Sequence, residues 1–339
     1  MVSAYAVSPD SKSSARPSLG VFLVFLSTVC FGTAGPAVKA LLLVGLSPLE
    51  VVLLRVTGAA ILLTLIAFAR DPKSLRVTPR DLPFLLAYGL LAFFGVQALY
   101  FVALSRLAVG VALLLEYLAI VLVAFWARFV EKRRLARTTW LGIGFAVAGL
   151  GLIEQVWKGL TLDGLGALAG LGAAVCLAAY FLLGERGTRG RDPFGLSAMG
   201  ALVGAVASNV ISPMWRLPLD SLTNSTQLGP VSVPAWAALA YVVVIGTVAA
   251  YVTGLLALRH LPSPVAGVLS TFEVVVASAT AWLLLGETLS AIELAGAATL
   301  FVGVILAQIG RAPAEPEPLK DASSSTPRRS HDGAASSPR

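Results

Sequence analysis

Ten stretches of this sequence are each long and apolar enough to span a lipid bilayer, and that limits its fold more than any motif. A helix needs about 20 apolar residues to cross the hydrocarbon core. Inside that core every backbone N–H and C=O must be paired within the segment or its closed sheet. The stretches run over 18–42, 47–69, 82–105, 108–127, 138–156, 163–184, 193–214, 235–257, 263–285 and 290–310. They are continuous and rich in Leu, Ala, Val and Gly, whereas barrel strands alternate apolar and polar over about ten residues. The expected fold is therefore an all-α integral membrane bundle of ten transmembrane helices. Composition agrees: 57% hydrophobic and 13% charged residues contrast with roughly 45–50% and 25% in soluble domains.

Orientation follows from the basic residues flanking the spans, since cytoplasmic loops carry an excess of Lys and Arg. One set of loops holds Arg70, Lys73, Arg76 and Arg80, then Arg128, Lys132, Arg133, Arg134 and Arg137, then Arg186, Arg189 and Arg191. The alternate loops hold Arg106, Lys158 and Arg216. Alternation of this kind needs an even number of spans with N and C termini cytoplasmic. The net charge of +7 reflects this bias, so no nucleic-acid partner is expected.

Residues 1–17 and 311–339 are polar, rich in Ser and Pro, and lack apolar periodicity, so both are expected to be disordered cytoplasmic tails. The first apolar run follows basic residues as a signal peptide would, but it is longer than an h-region and no clean small-x-small site follows it. It reads as an uncleaved first span. Cys30 and Cys176 both lie inside apolar runs, where free cysteine behaves as a small hydrophobe, and no disulfide is expected.

The spans repeat. Gly95-x-x-Ala98-x-Tyr100 in the third recurs as Gly246-x-x-Ala249-x-Tyr251 in the eighth, and ALSRL from Ala103 recurs as ALRHL from Ala257. Glu116, Trp126 and Glu131 are echoed by Glu273, Trp282 and Glu287; Gly142 and Gly149 are echoed by Gly296 and Gly303. Cys30 and Pro48 correspond to Cys176 and Pro193. The order holds over five helices, giving repeats at 18–156 and 163–310. Five is odd, so the second copy enters the bilayer from the opposite side. Such inverted repeats place substrate near the midplane between the halves.

Glu116 and Glu273 are thus one position used twice, in mid-membrane. A carboxylate there costs at least about 2.5–3.5 kcal/mol, so it faces a bundle interior or a water-filled path. The pair can titrate protons or bind a substrate ammonium; it can equally be a protonated pair that ties helices together.

The ten-span pattern, with LLLEYLAIVLVAFWARFVEKRR (Leu113 to Arg134), FEVVVASATAWLLLGETLS (Phe272 to Ser290) and SPLEVVLLR (Ser47 to Arg55), resembles the EamA branch of the drug/metabolite transporter superfamily. Within it the likeness is to exporters of amino acids and related metabolites, such as the threonine and homoserine exporters. The resemblance covers roughly residues 18 to 310 and implies a secondary transporter working by alternating access. Family members commonly carry a proline just after the mid-helix glutamate, where this chain has Ile120 and Val274. Without proline the fourth and ninth helices are expected to keep their backbone bonds and to bend little. The Gly32–Pro36 stretch remains a candidate kink in the first helix.

Other polar groups inside the spans are Arg55, Gln97, Tyr100, Tyr117, Tyr180, Asn209 and Tyr251. Arg55 can meet a substrate carboxylate, but pairing with Glu50 or snorkelling to the interface is the expectation. Glu50 and Lys39 are expected near the outer face, in water. The others can bind substrate or bond another helix. Glycines 164, 166, 170 and 172 read as a helix-packing row.

With two histidines and no metal-ligand cluster or phosphate loop, the chain is not expected to be an enzyme or to need a cofactor or metal. The expected substrate-binding or coupling residues are Glu116, Glu273, Gln97, Tyr100, Tyr117, Tyr180, Tyr251 and Arg55. The expected function is export of small polar metabolites, foremost amino acids, from a multi-pass position in the cytoplasmic membrane, with protons as candidate coupling ion. An uncoupled facilitator of the same fold, or efflux of amphiphilic drugs or nucleosides, stays open. The sequence leaves the oligomeric state unassigned.

Overall fold

The computed structural model describes residues 16–104, 106–107, 109–153, 155, 157, 163–228, 231–285 and 290–309. Nearly all of both expected tails, together with Lys158 and Glu287, lies outside the described residues. Ten apolar helical units follow in order among the described residues: α1 (Pro17–Leu43), α2 (Pro48–Arg70), α3 (Leu82–Ala103), α4 (Val111–Val130) and α5 (Arg137–Ile153), then α6 (Gly164–Thr188), α7 (Pro193–Ile211), α8 (Ala235–Ala257), α9 (Ser263–Leu284) and α10 (Ala291–Ala307). All but α5 and α10 are long and apolar enough to cross a membrane; those two are shorter apolar helices. Pro17, assigned to the tail by composition, is the first residue of α1. Its fixed φ and missing N–H suit that place.

Helix starts are set by local chemistry. Ser47 caps α2 by accepting from Glu50 N at 3.4 Å, while the Glu50 carboxylate accepts from Ser47 N at 2.6 Å. The same box recurs at α10, where Ser290 N donates to Glu293 at 2.6 Å and Glu293 N to Ser290 Oγ at 3.3 Å. Asp163 and Asp192 cap α6 and α7. Each cap satisfies N–H groups that a helix leaves unpaired.

Three features depart from the plain bundle read from sequence. The loop between α7 and α8 holds an antiparallel hairpin, β1 (Ser225–Leu228) with β2 (Val231–Pro234), in register Ser225↔Pro234. The Thr226 hydroxyl donates to the Ala40 carbonyl at 2.9 Å, fixing the hairpin to the end of α1. Next, α4 and α9, which lack the family proline, are each interrupted by a single residue, Leu118 and Thr271, that keeps right-handed helical dihedrals; across Leu118 the i→i−4 bonds of Leu118 N to Leu114 and Leu122 N to Leu118 persist, as expected without proline. The helix stops at Tyr117 and resumes at Ala119, and stops again at Ser270 and resumes at Phe272. At each break the bonding tightens locally: Val121 N reaches the Leu118 carbonyl and Val274 N the Thr271 carbonyl, three residues back. Finally, α3 and α8 each carry a π-helical stretch, Gly89–Gly95 and Val244–Ala249. Such insertions are frequent at functional sites.

The loops sort to two ends. Arg191, after α6, pairs with Asp81 and reaches the Arg76 carbonyl between α2 and α3, and Arg259 after α8 donates to the Arg191 carbonyl. Arg133 after α4 pairs with Glu185 at the end of α6. The start of α1 joins them, through Arg16 N to His260. The basic-rich loops thus gather at one end, and Arg106 with Asp163 marks the other.

Packing is close where glycines face glycines. A Cβ on Gly142 would lie 2.7 Å from the Gly303 carbonyl oxygen, and one on Gly303 2.7 Å from that of Gly142, so α5 and α10 touch backbone to backbone. Of the row in α6, Gly166, Gly170 and Gly172 abut Leu107, Leu115 and Leu99, while Gly164 faces open space. Large apolar side chains such as Phe22, Leu65, Phe68, Leu168 and Val206 point outward, where lipid tails solvate them.

Candidate functional site

A cavity of about 450 Å³ occupies the middle of the bundle. Every site residue expected from sequence lies on its wall. Arg55 comes from α2, Gln97 and Tyr100 from α3, Glu116 and Tyr117 from α4, Tyr180 from α6, Tyr251 from α8 and Glu273 from α9. Ser27, Thr28, Phe31 and Lys39 of α1 and Ser270 of α9 complete it. Sequence reasoning passed over Ser27, Thr28, Phe31 and Ser270 because small hydroxyls and single aromatics in apolar helices usually pack or back-bond.

The cavity is one-ended. Along α1 it runs from Val24 to Leu42, the end far from the basic loops, whereas on α6, α8 and α9 it stops at Phe181, Gly254 and Ala266. Lys39, expected near the outer face and in water, is exposed and lines this outer half.

The two carboxylates differ in their surroundings. The Tyr117 hydroxyl donates to Glu273 at 2.9 Å, so the residue after one glutamate holds the other and ties α4 to α9. Among the described residues Glu116 has no hydrogen-bond partner, and it is half-buried in the cavity wall. Glu116 lies two residues before the interruption at Leu118, and Glu273 two residues after that at Thr271.

Arg55 neither pairs with Glu50 nor snorkels. Glu50 is taken up in the α2 cap, and Arg55 is 8% exposed. Its Nε donates to Thr247 Oγ1 at 3.2 Å, Nη1 to Gln97 Oε1 at 3.4 Å and Nη2 to the Gly246 carbonyl at 3.3 Å. Gly246 and Thr247 belong to the π-helical stretch of α8, and Tyr251, just beyond it, donates to the Ala92 carbonyl in the π-helical stretch of α3 at 3.0 Å. The two irregular stretches thus serve the same wall. All three acceptors of Arg55 are neutral and long, where a charge-assisted bond runs about 2.7–2.9 Å. A guanidinium has five N–H donors, so two have no acceptor among the described residues.

Aromatic rings close the sides. Phe93 stacks on Tyr251 with centroids 4.2 Å apart, and Tyr180 and Phe31 meet Tyr251 edge-on at 5.5 and 5.4 Å. Asn209 is absent from this wall; it bonds Thr57 and the Ala205 carbonyl between α2 and α7. No group of three or more His, Cys, Asp or Glu that could hold a metal occurs among the described residues. Cys30 and Cys176 are buried free thiols.

Two matches to one family model cover the chain, at residues 18–154, which hold α1 to α5, and 164–308, which hold α6 to α10; the model is that of the EamA-like transporter family. The threonine/homoserine exporter RhtA of Escherichia coli (strain K12) is 29% identical over 246 residues, 72% of this chain and 75% of that protein. RhtA of Salmonella typhimurium (strain LT2) is 29% identical over 233 residues, 68% and 72% of the two chains. The uncharacterized transporter YyaM of Bacillus subtilis (strain 168) is 28% identical over 200 residues, 57% and 62%. A crystal structure at 20% identity shares the fold, with a TM-score of 0.72 over 86% of this chain and 97% of that one. Membrane-spanning helices, transporter relatives and a matched domain in each half place the protein as a multi-pass transporter of the cell membrane, and the chain belongs to the EamA-like transporter family.

Proposed function

We propose that this protein is a secondary exporter of small polar metabolites, amino acids foremost, that works by alternating access between two inverted five-helix halves. All ten helices cross the bilayer, with the basic loops and both termini in the cytoplasm. For α5, 17 residues at about 1.5 Å each reach roughly 25 Å, close to the hydrocarbon thickness.

One observation carries the substrate reading: a single cavity is lined by two carboxylates, Glu116 and Glu273, and by the guanidinium of Arg55. Carboxylates suit an ammonium and a guanidinium suits a carboxylate, so the lining complements a zwitterion. The RhtA relatives, named for threonine and homoserine export, support the same class. Glu116, which no side chain among the described residues holds, is the better placed of the pair to exchange a proton with the cavity.

The test is efflux from liposomes holding the purified protein, screened over amino acids and nucleosides with and without a pH gradient. Export of amino acids that slows when the gradient collapses is expected. Transport indifferent to the gradient would leave an uncoupled facilitator. The aromatic walls favour amphiphilic cations as a second reading, which efflux of such cations, and of no amino acid, would establish instead.

A further inference from the structure

The cavity ends at the basic end against a floor built from three helices. Gly20 of α1 lets the backbone close on the corner before α9, where a Cβ would lie 2.7 Å from Leu261 and 2.8 Å from His260. Gly184 of α6 does the same against α8, with Leu255 and Leu258 each 2.9 Å from a Cβ. One turn beyond the cavity-lining Phe181 stands Glu185, a buried carboxylate.

Glu185 joins three elements. It accepts from Arg133 Nη1, in the loop after α4, at 2.9 Å, and from Arg189 Nη2, four residues on in its own segment, at 2.6 Å. Its other oxygen accepts from Ser263 N, in the first turn of α9, at 2.9 Å. Arg133 is aimed by a turn in which Lys132 adopts a φ of 56° and Arg133 N bonds the Ala127 carbonyl at 2.9 Å. That left-handed residue gives α4 a sharp stop.

The partners are arranged so that the floor can part without stranding a charge. Arg133 also pairs with Glu131 at 2.7 Å on its own segment, and Glu185 keeps Arg189 on its own. Among the described residues, the bonds of Glu185 that separation would break are the two between elements, Arg133–Glu185 and Ser263 N–Glu185. Breaking a buried pair is strongly unfavourable when one charge is left alone; here neither is. A purely structural tie has no need of these spare partners.

We infer that Glu185 is the latch of a cytoplasmic gate, and that cargo enters from the cytoplasm through the gap opened when Arg133 and Ser263 leave it. This rests on the transport reading above, since the gate presupposes a path through the bundle. The two bonds hold the outward-open state, and their loss shifts the population toward the inward-open one.

A cysteine at Ala266, buried at the inner limit of the cavity, reports the gate. The full chain with Ala266→Cys, in inside-out membrane vesicles, is treated with a membrane-impermeant maleimide; the parent without that substitution sets the background. Glu185→Gln and, independently, Arg133→Gln should each speed labelling from the cytoplasmic face about tenfold, the sign of a shifted two-state population. Arg134→Gln, removing a neighbouring exposed charge, should not. Arg133 is a third exposed, so its variant folds even if the Glu185 variant does not. Unchanged labelling in folded Arg133→Gln, or an equal rise in Arg134→Gln, overturns the latch. The readout needs no cargo, so unchanged labelling in Arg133→Gln beside intact efflux from liposomes overturns the latch alone, whereas the absence of any efflux overturns the transport reading and the gate with it.

Discussion

Gly149 and Gly296 face each other across the α5–α10 contact, so that a Cβ on either would lie 2.8 Å from the other's carbonyl oxygen. Gly142 and Gly303 do the same one pair along. In sequence Gly142 corresponds to Gly296 and Gly149 to Gly303, yet in space each meets the other pair's member. That reciprocal pairing is what a two-fold contact requires.

Gly149→Ala and Gly296→Ala should therefore each destabilise the protein, because the new methyl meets backbone that cannot swing aside. Overpacking of this kind costs about 1–3 kcal/mol, seen as a lower thermal midpoint of the purified protein in detergent. Gly144 and Gly151, with open space around them, provide the control. Equal midpoints for Gly149→Ala and Gly151→Ala would refute the close contact.

Glu116→Gln and Glu273→Gln should each abolish proton-coupled export while leaving yield, insertion and elution profile unchanged. The substitution keeps shape and removes only the titrating group. Tyr117→Phe, which takes away the donor to Glu273, should slow export without abolishing it. Full activity in both glutamine variants would remove the coupling role from this pair.

Arg55→Gln should raise KM for a carboxylate-bearing cargo and leave amines without a carboxylate unaffected. Hydrogen bonds to charged groups are worth about 1.5–3 kcal/mol, or roughly tenfold to over a hundredfold in affinity. Competition assays with an amino acid and its decarboxylated amine make the comparison. An equal loss for both would assign Arg55 to bracing the π-helical stretch of α8.

Outside the membrane, hydrogen bonds from the Thr78 hydroxyl and backbone N–H, with the Arg191 charge adding to them, hold the Asp81 carboxyl below its usual range. Folding lowers this pKa, so the tie between the α2–α3 and α6–α7 loops is fully present above the ordinary carboxylate value. It is lost only as pH falls through the lowered one. Hydrogen exchange over residues 71–81 should be faster in Asp81→Asn than in wild type at about pH 7. The difference should vanish in strong acid, well below the ordinary value of about 3.9. A difference that persists there would show that the carboxylate is not the cause.

The helices were legible because a bilayer demands length: an apolar run of some 20 residues has few other uses, and the observed ends fall within a few residues of the runs. The site was legible because buried charge is rare in such runs, so Glu116, Glu273 and Arg55 stood out. What Arg55 bonds was not legible. Its acceptors depend on the π-helical stretch at Val244–Ala249, and one extra residue per turn leaves no mark in a run that is apolar all round. The one-residue interruptions at Leu118 and Thr271 were hidden likewise, since a helix needs no proline for one N–H to bond three residues back. The hairpin at Ser225–Pro234 was hidden because each of its strands has only 4 residues, too few to show alternation.

That hairpin has a practical side. Its Thr226 grips the carbonyl of Ala40, and the neighbouring Lys39 and Leu42 are wall of the cavity. In the proposed topology a small folded binder raised against the hairpin would therefore hold α1 by its end from outside the cell, without competing for cargo.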